Sequence, residues 1–236
     1  MRIGSLFVRL ILSNDNNNKI KTSNQTTLHN EDWVKDNCGF GLIAHLEGEP
    51  SHKIVRTAIT SLARMQHRGR VSADGTTGDG CGLLMQKPDQ FFSAIAEQNG
   101  WRLGKKYAVG NIFFSTDVVL KQQAIAIITK ELEKETLQIV GWRQVPTNSE
   151  VLGEIASQSL PDIQQVFINA PPGWRKKDFE RRLYMARRRI EQQMIHDPDF
   201  YIPSLSCLVT IYKGLVMPKD LADFYLDLAD IRMSTA

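Results

Sequence analysis

The chain has 236 residues, 42% of them hydrophobic and 23% charged, an ordinary soluble composition with room for one large domain or two small ones. Its net charge of +3 is too weak to recommend nucleic acid or a membrane surface as a partner. Cys38, Cys81 and Cys207 form no CxxC pair, and the five histidines show no HExxH or HxxxH spacing. Neither a disulfide framework nor a metal site is expected, and the compartment reads as reducing and cytoplasmic.

The first residues, MRIGSLFVRLILS, carry Arg2 and Arg9 and no acid before Asp15, which faintly resembles a targeting sequence. Arg9 interrupts the apolar run, however, and no small-residue cleavage site follows. No stretch reaches the roughly 18–20 apolar residues that a bilayer span needs. An Asn-rich tract (Asn14, Asn16, Asn17, Asn18) and the Ser/Thr/Asn run at 22–27 cannot build a core, so residues 1–37 are expected to form a disordered leader. Cys38 opens the glycine-spaced apolar run 38–46 (CGFGLIAHL), expected to be a buried strand. A cysteine at that junction suggests a nucleophile that becomes the N-terminus. A free α-amine titrates at about 7.7–8.0 and can act as general base for the thiol beside it. On position alone, a buried core cysteine fits as well.

Further along, residues 52–66 place Ile54, Val55, Ala58, Ile59, Leu62 and Met65 at helical spacing, with Gly69 as a C-terminal stop after His67 and Arg68. A Gly-rich loop, 74–80, enters a strand at 81–85. Helices are predicted at 88–99, 117–135, 176–194 and 218–229. Strands are predicted at 107–114, 137–145, about 165–170 and 205–212, the third of them inside a proline-rich loop region, 146–175. This alternation by itself suggests a parallel doubly wound sheet. The 74–80 loop leads into a strand and not a helix N-terminus, which argues against a phosphate cradle.

Three runs come first: Cys38-Gly39-Phe40-Gly41, then Met65-Gln66-His67-Arg68-Gly69, then Thr77-Gly78-Asp79-Gly80-Cys81-Gly82-Leu83-Leu84. Leu152-Gly153-Glu154-Ile155-Ala156, Phe167-Ile168-Asn169-Ala170-Pro171, Arg181-Arg182-Leu183-Tyr184 and Tyr225-Leu226-Asp227-Leu228 follow. As an ordered set they resemble the class II glutamine amidotransferases, and among them the glutamate synthase large subunits, over about residues 36–236. The length of the match disfavours other amidotransferases of this class, such as those of purine synthesis. The resemblance implies an α+β N-terminal-nucleophile hydrolase fold, an αββα sandwich of two antiparallel sheets, which overrides the parallel reading. It divides the chain into a leader or propeptide, 1–37, removed on maturation, and the first part of an amidotransferase domain, 38–236.

The resemblance also implies roles. Cys38 would be the catalytic nucleophile, attacking the side-chain amide of L-glutamine to release ammonia through a γ-glutamyl thioester. Arg68 would lie on the substrate-binding side of the site, close to Cys38, where a guanidinium favours the thiolate and holds active-site loops. Read by position only, Arg68 is a helix C-terminal arginine facing the macrodipole. In the complete enzyme the resemblance implies FMN, an iron–sulfur cluster, the remainder of the large subunit and a small NADPH-oxidising subunit, with conversion of 2-oxoglutarate to glutamate. None of the cofactors is expected within this segment. Asp79 is read as a loop residue bonding its own backbone, Cys81 and Cys207 as core cysteines, and His52 and His67 as satisfied helix residues. The arginines of 181–189 are read as a solvated or subunit-facing surface.

The family's His-Gln-Arg-Phe-Ser-Thr motif, whose arginine holds the glutamine carboxylate, does not occur in the sequence. Its His-Asn-Gly-Glu motif, whose Asn-Gly pair holds the oxyanion, is not there either. The expectation is a domain truncated at its C-terminal end and inactive alone. The alternative is a truncated, catalytically inactive remnant or interaction module.

Overall fold

The structure is a computed structural model that describes residues 39–65 and 71–236. The expected leader, Cys38, and the helix stop from His67 to Gly69 with Arg68 lie outside the described residues. The elements in order are α1 (His52–Arg64), β1 (Cys81–Gln86), α2 (Asp89–Gln98), β2 (Tyr107–Phe114), α3 (Val118–Lys134) and β3 (Gln138–Gln144). Then come α4 (Glu154–Gln158), β4 (Asp162–Asn169), α5 (Lys176–Gln193), β5 (Tyr201–Ser206), β6 (Val209–Gly214) and α6 (Leu221–Phe224). One sheet has the order β3-β4-β2-β5, the other pairs β1 with β6, and every ladder is antiparallel. The fold is therefore α+β with two antiparallel sheets, as the resemblance implied and not as the bare alternation suggested.

Strand pleating sends neighbouring side chains to opposite faces. On one face of the four-stranded sheet, Ala108, Ile112 and Phe114 of β2 and Val166 and Ile168 of β4 meet Ala124, Ile128 and Leu132 of α3 and Phe179, Leu183, Ala186 and Ile190 of α5. On the other face, Val109 and Phe167 join Met85 of β1, Tyr212 of β6 and Phe91, Phe92 and Ile95 of α2 in a second core between the sheets. Asn111 crosses that core, donating from Nδ2 to the Ile211 carbonyl at 2.6 Å. At Gly141 a Cβ would lie 2.2 Å from the Trp101 indole, so only glycine lets that ring cover the middle of β3.

Three expectations are corrected. Residues 39–46 form no strand, and Phe40, Leu42 and Leu46 are 91%, 89% and 97% exposed. A strand exists only with a ladder partner, and among the described residues β1 pairs with β6 alone. The strand expected at 205–212 is two strands, β5 and β6, joined by a tight turn at which the chain passes from one sheet to the other. That turn carries no Gly, Pro or Asn. Ser206 Oγ accepts from the Leu208 and Val209 N–H groups at 3.0 and 3.2 Å, while Glu180 of α5 receives Ser206 Oγ and the Cys207 N–H. The helix expected at 218–229 breaks at Tyr225, which is extended, bridges to Thr147 and donates its hydroxyl to the Lys213 carbonyl at 2.7 Å.

The arginines of α5 are not a uniform outer surface. Arg189 binds Glu131 of α3 at 2.7 Å, and Arg182 binds Glu135 at the end of α3 at 2.7 Å. Burial alone would raise the Glu131 carboxyl, but bonds from Lys134, Gln193 and Arg189 outweigh it and hold it at about 2, below its ordinary 4.5. A carboxylate depressed in the folded state adds stability above its unfolded pKa, and that stability is lost as pH falls through the folded value. Folded-state stability is thus expected to drop between pH 4.5 and about 2. The Glu131→Gln variant, less stable at neutral pH, should show a shallower drop in urea midpoint over that range. Parallel curves for the two chains would contradict the assignment.

Candidate active site

Cys38 and Arg68, the two residues expected to carry the chemistry, are not among the described residues, so the site is built from what borders them. On the far side of Cys38, residues 39–50 lead to α1, whose first turn is clasped to the end of the chain. The Ser51 N–H donates to the Thr235 carbonyl at 2.9 Å, and His52 Nδ1–H to the Met233 carbonyl at 2.8 Å. His52 is thus a satisfied helix residue. Met65 caps the end of α1, and Val71 opens a short loop and bridges to Gly78.

Asp74 closes that loop from inside. Its Oδ1 accepts the Thr76 and Thr77 N–H groups at 3.0 and 2.8 Å, and its Oδ2 accepts the Thr77 hydroxyl. Thr77 donates the strongest of these bonds, and together they hold the Asp74 carboxyl well below the usual carboxylate range. Oδ2 also receives the Ile155 N–H of α4 at 3.2 Å, and Thr77 Oγ1 receives the Ala156 N–H at 3.3 Å. This close approach needs Gly153, where a Cβ would sit 2.3 Å from Thr77 Oγ1. Sequence reasoning considered Asp79 and passed over Asp74. An Asp-Gly-Thr-Thr run does signal an Asx turn. No local signal announces that Gly153, far along the chain, must be bare.

The two described thiols are not reactive groups. The Cys81 thiol donates to the Val216 carbonyl at 3.4 Å, and burial followed by the Asp220 charge pushes it up to about 12. Burial and the Glu180 carboxylate push buried Cys207 up to about 12 as well. Neither resembles an activated thiol of depressed pKa. Among the described residues no cluster of His, Cys, Asp or Glu could hold a metal ion, and no helix is long and apolar enough to cross a membrane.

A second polar cluster lies between the sheets. Arg143 of β3 grips Asp227 with two bonds, at 2.6 and 2.8 Å, and donates to Gln165 of β4 at 2.8 Å. Gln165 donates to the Tyr212 hydroxyl at 3.1 Å, and that hydroxyl donates to Asp227 at 3.0 Å, closing a ring of bonds. Burial and then the Asp227 charge push the Tyr212 phenol up, so it stays a neutral donor. The Arg143 and Asp227 side chains are 13% and 3% exposed, and every partner is already taken up within the ring. The cluster has the character of a structural lock and not of a substrate site.

A family model described as glutamine amidotransferases class-II matches residues 38–236, beginning at Cys38 itself. The chain belongs to the class-II glutamine amidotransferases. Its two antiparallel sheets with flanking helices are accordingly those of an N-terminal-nucleophile hydrolase domain. Among curated relatives, this amidotransferase segment is 38% identical over 205 residues to the glutamate synthase [NADPH] large chain of Bacillus subtilis, covering 86% of the chain. It is 38% identical over 211 residues, covering 88%, to the glutamate synthase [NADPH] large chain of Azospirillum brasilense. Against ferredoxin-dependent glutamate synthase 2 of Synechocystis sp. it is 35% identical over 217 residues, covering 90%. The chain spans 14% of the length of each of these relatives.

Because the Arg143–Asp227 pair is buried and bidentate, removing one partner strands the other charge, at a typical cost of about 3–5 kcal/mol. The Asp227→Leu variant should lose that much stability in urea unfolding. The double variant Arg143→Met, Asp227→Leu should recover most of it. Equal losses in the single and double variants would show that the pair is not the lock.

Proposed function

We propose that this segment is the glutaminase part of a glutamate synthase and that Cys38 is its nucleophile. The observation that carries the reading is the family match that starts at Cys38 and runs to residue 236. In this reading residues 1–37 are removed, and the Cys38 α-amine, titrating at about 7.7–8.0, becomes the base for its own thiol. The thiolate attacks the side-chain amide carbon of glutamine, the amine passes its proton to the departing ammonia, and water hydrolyses the γ-glutamyl thioester. Arg68, close by, favours the thiolate and the bound glutamine. Ammonia then serves the conversion of 2-oxoglutarate to glutamate. In this reading that step belongs to the rest of a cytoplasmic enzyme holding FMN, an iron–sulfur cluster and a small NADPH-oxidising subunit. Relatives named as NADPH- and ferredoxin-dependent enzymes both match at similar identity, so the NADPH donor rests on the likeness to the large chains alone.

The 236 residues contain neither the carboxylate-clamping nor the oxyanion motif of the family. Loss of an oxyanion donor alone typically costs about 10²–10³ in rate, so these residues in isolation should show little or no glutaminase. The decisive comparison uses the complete polypeptide. With residues 1–37 retained by a blocked junction, the Cys38 nitrogen is an amide and glutamine hydrolysis should be undetectable. Once the chain begins at Cys38, ammonia release should appear, and Cys38→Ser should abolish it. Clear turnover by the unprocessed chain would overturn the α-amine mechanism.

A further inference from the structure

We propose that Asn99-Gly100 is a modification site, where the chain deamidates itself through a succinimide and so loosens the end of α2 that carries Trp101. It is the only Asn-Gly step in the sequence. The reaction needs the backbone nitrogen of the next residue to reach the asparagine side-chain carbonyl carbon, and glycine has no Cβ to stand in the way. Gly100 N bonds to Asn99 Cγ, the Cγ–Nδ2 bond breaks, and Nδ2 leaves as ammonia with the proton that Gly100 N gives up. Water then opens the five-membered ring at either carbonyl, giving aspartate from one and isoaspartate from the other. Water and hydroxide are the only reagents.

The fold leaves this step in solvent, since residues 97–100 at the end of α2 are all exposed. Asn99 caps the helix, with its Nδ2 donating to the Ile95 carbonyl at 2.8 Å, and the Gly100 N–H donates to the Glu97 carbonyl at 3.0 Å. Both reacting groups are occupied in that closed turn, so the reaction runs from the frayed one, and helix ends open at little cost. The other described asparagines lack this combination. Asn111 is buried, Asn148 precedes Ser149 and accepts the Glu150 N–H, and Asn169 precedes Ala170 and is tied to Gly104 and Arg102. What the cap holds is Trp101. Its N–H donates to the Ala96 carbonyl at 2.8 Å, and its ring covers Gly141 of β3 with its centroid 5.1 Å from that of Phe167. Isoaspartate adds one atom to the main chain before Gly100, so the Gly100 and Trp101 bonds cannot both persist. Aspartate puts a carboxylate against the Ile95 carbonyl, at the negative end of the helix dipole.

The test ages the whole 236-residue chain at mildly alkaline pH, folded and in urea above the unfolding midpoint, and reads the tryptic peptide 71–102 by mass. The folded chain should gain one mass unit at residue 99 before any gain at Asn111, Asn148 or Asn169. The product should be isoaspartate mixed with aspartate, formed faster as pH rises. Asn99→Gln, whose longer side chain would have to close a six-membered ring, should lose the gain. Asn99→Asp, which is the aspartate product made directly, should lower the urea midpoint. A gain at residue 99 in the unfolded chain alone, with the folded chain silent, overturns the proposal, because the cap then protects the step. Aspartate without isoaspartate in the folded chain overturns the succinimide route. An unchanged midpoint in Asn99→Asp overturns the loosening of α2.

Discussion

The ring formed by Arg143, Gln165, Tyr212 and Asp227 joins the two sheets, and the rest of the fold is arranged around it. Arg143 and Gln165 project from adjacent strands of the four-stranded sheet, Tyr212 from the smaller sheet, and Asp227 from the turn after α6. An apolar core would hold these layers together at many registers. A closed polar ring is satisfied only when β3, β4, β6 and the 226–229 turn meet in one arrangement, because a slip would leave a buried charge unpaired. The same arrangement explains why the last helix breaks early. Tyr225 must leave helical geometry to pair with Thr147 and meet the Tyr212 ring edge to face, and that brings Asp227 under Arg143.

From this lock the positions of the loops around the candidate site follow. The register of β6 fixes β1, Cys81 opposite Gly214, and β1 is continuous with the 71–80 loop. That loop is held from its other side by α4, which lies between β3 and β4 in the chain and so belongs to the same sheet framework. Two independent routes therefore converge on the stretch just after Arg68. The ion pairs of α3 and α5 lie on the opposite face of the four-stranded sheet.

Most elements were legible from periodicity, since α1, α2, α3, α5, β2 and β3 follow apolar spacing to within a residue or two. Pro88 stands just before the first residue of α2, and Asp117 caps α3 through the Val119 and Leu120 N–H groups, whereas Pro218 does not open a helix, α6 starting at Leu221. What local patterns hid were features settled by distant partners. The turn between β5 and β6 depends on Glu180 of α5, the break at Tyr225 on Thr147, and the bareness of Gly153 on Thr77. The direction of the sheets was not legible from alternation at all and came only through family resemblance. The exposed run 39–46 shows the converse: an apolar pattern is not a strand until a ladder receives it.

Cys38 is proposed as the nucleophile on its motif and on the start of the family match, and the chemistry proposed for it is open to direct trial. The complete enzyme would be treated with a chloroketone analogue of glutamine, whose electrophilic carbon replaces the amide, and the adduct located by mass. The account predicts one adduct, on Cys38 at the chain's N-terminus, formed in step with loss of glutaminase and prevented by glutamine. Loss of glutaminase with the adduct on another residue and Cys38 unmodified would contradict it.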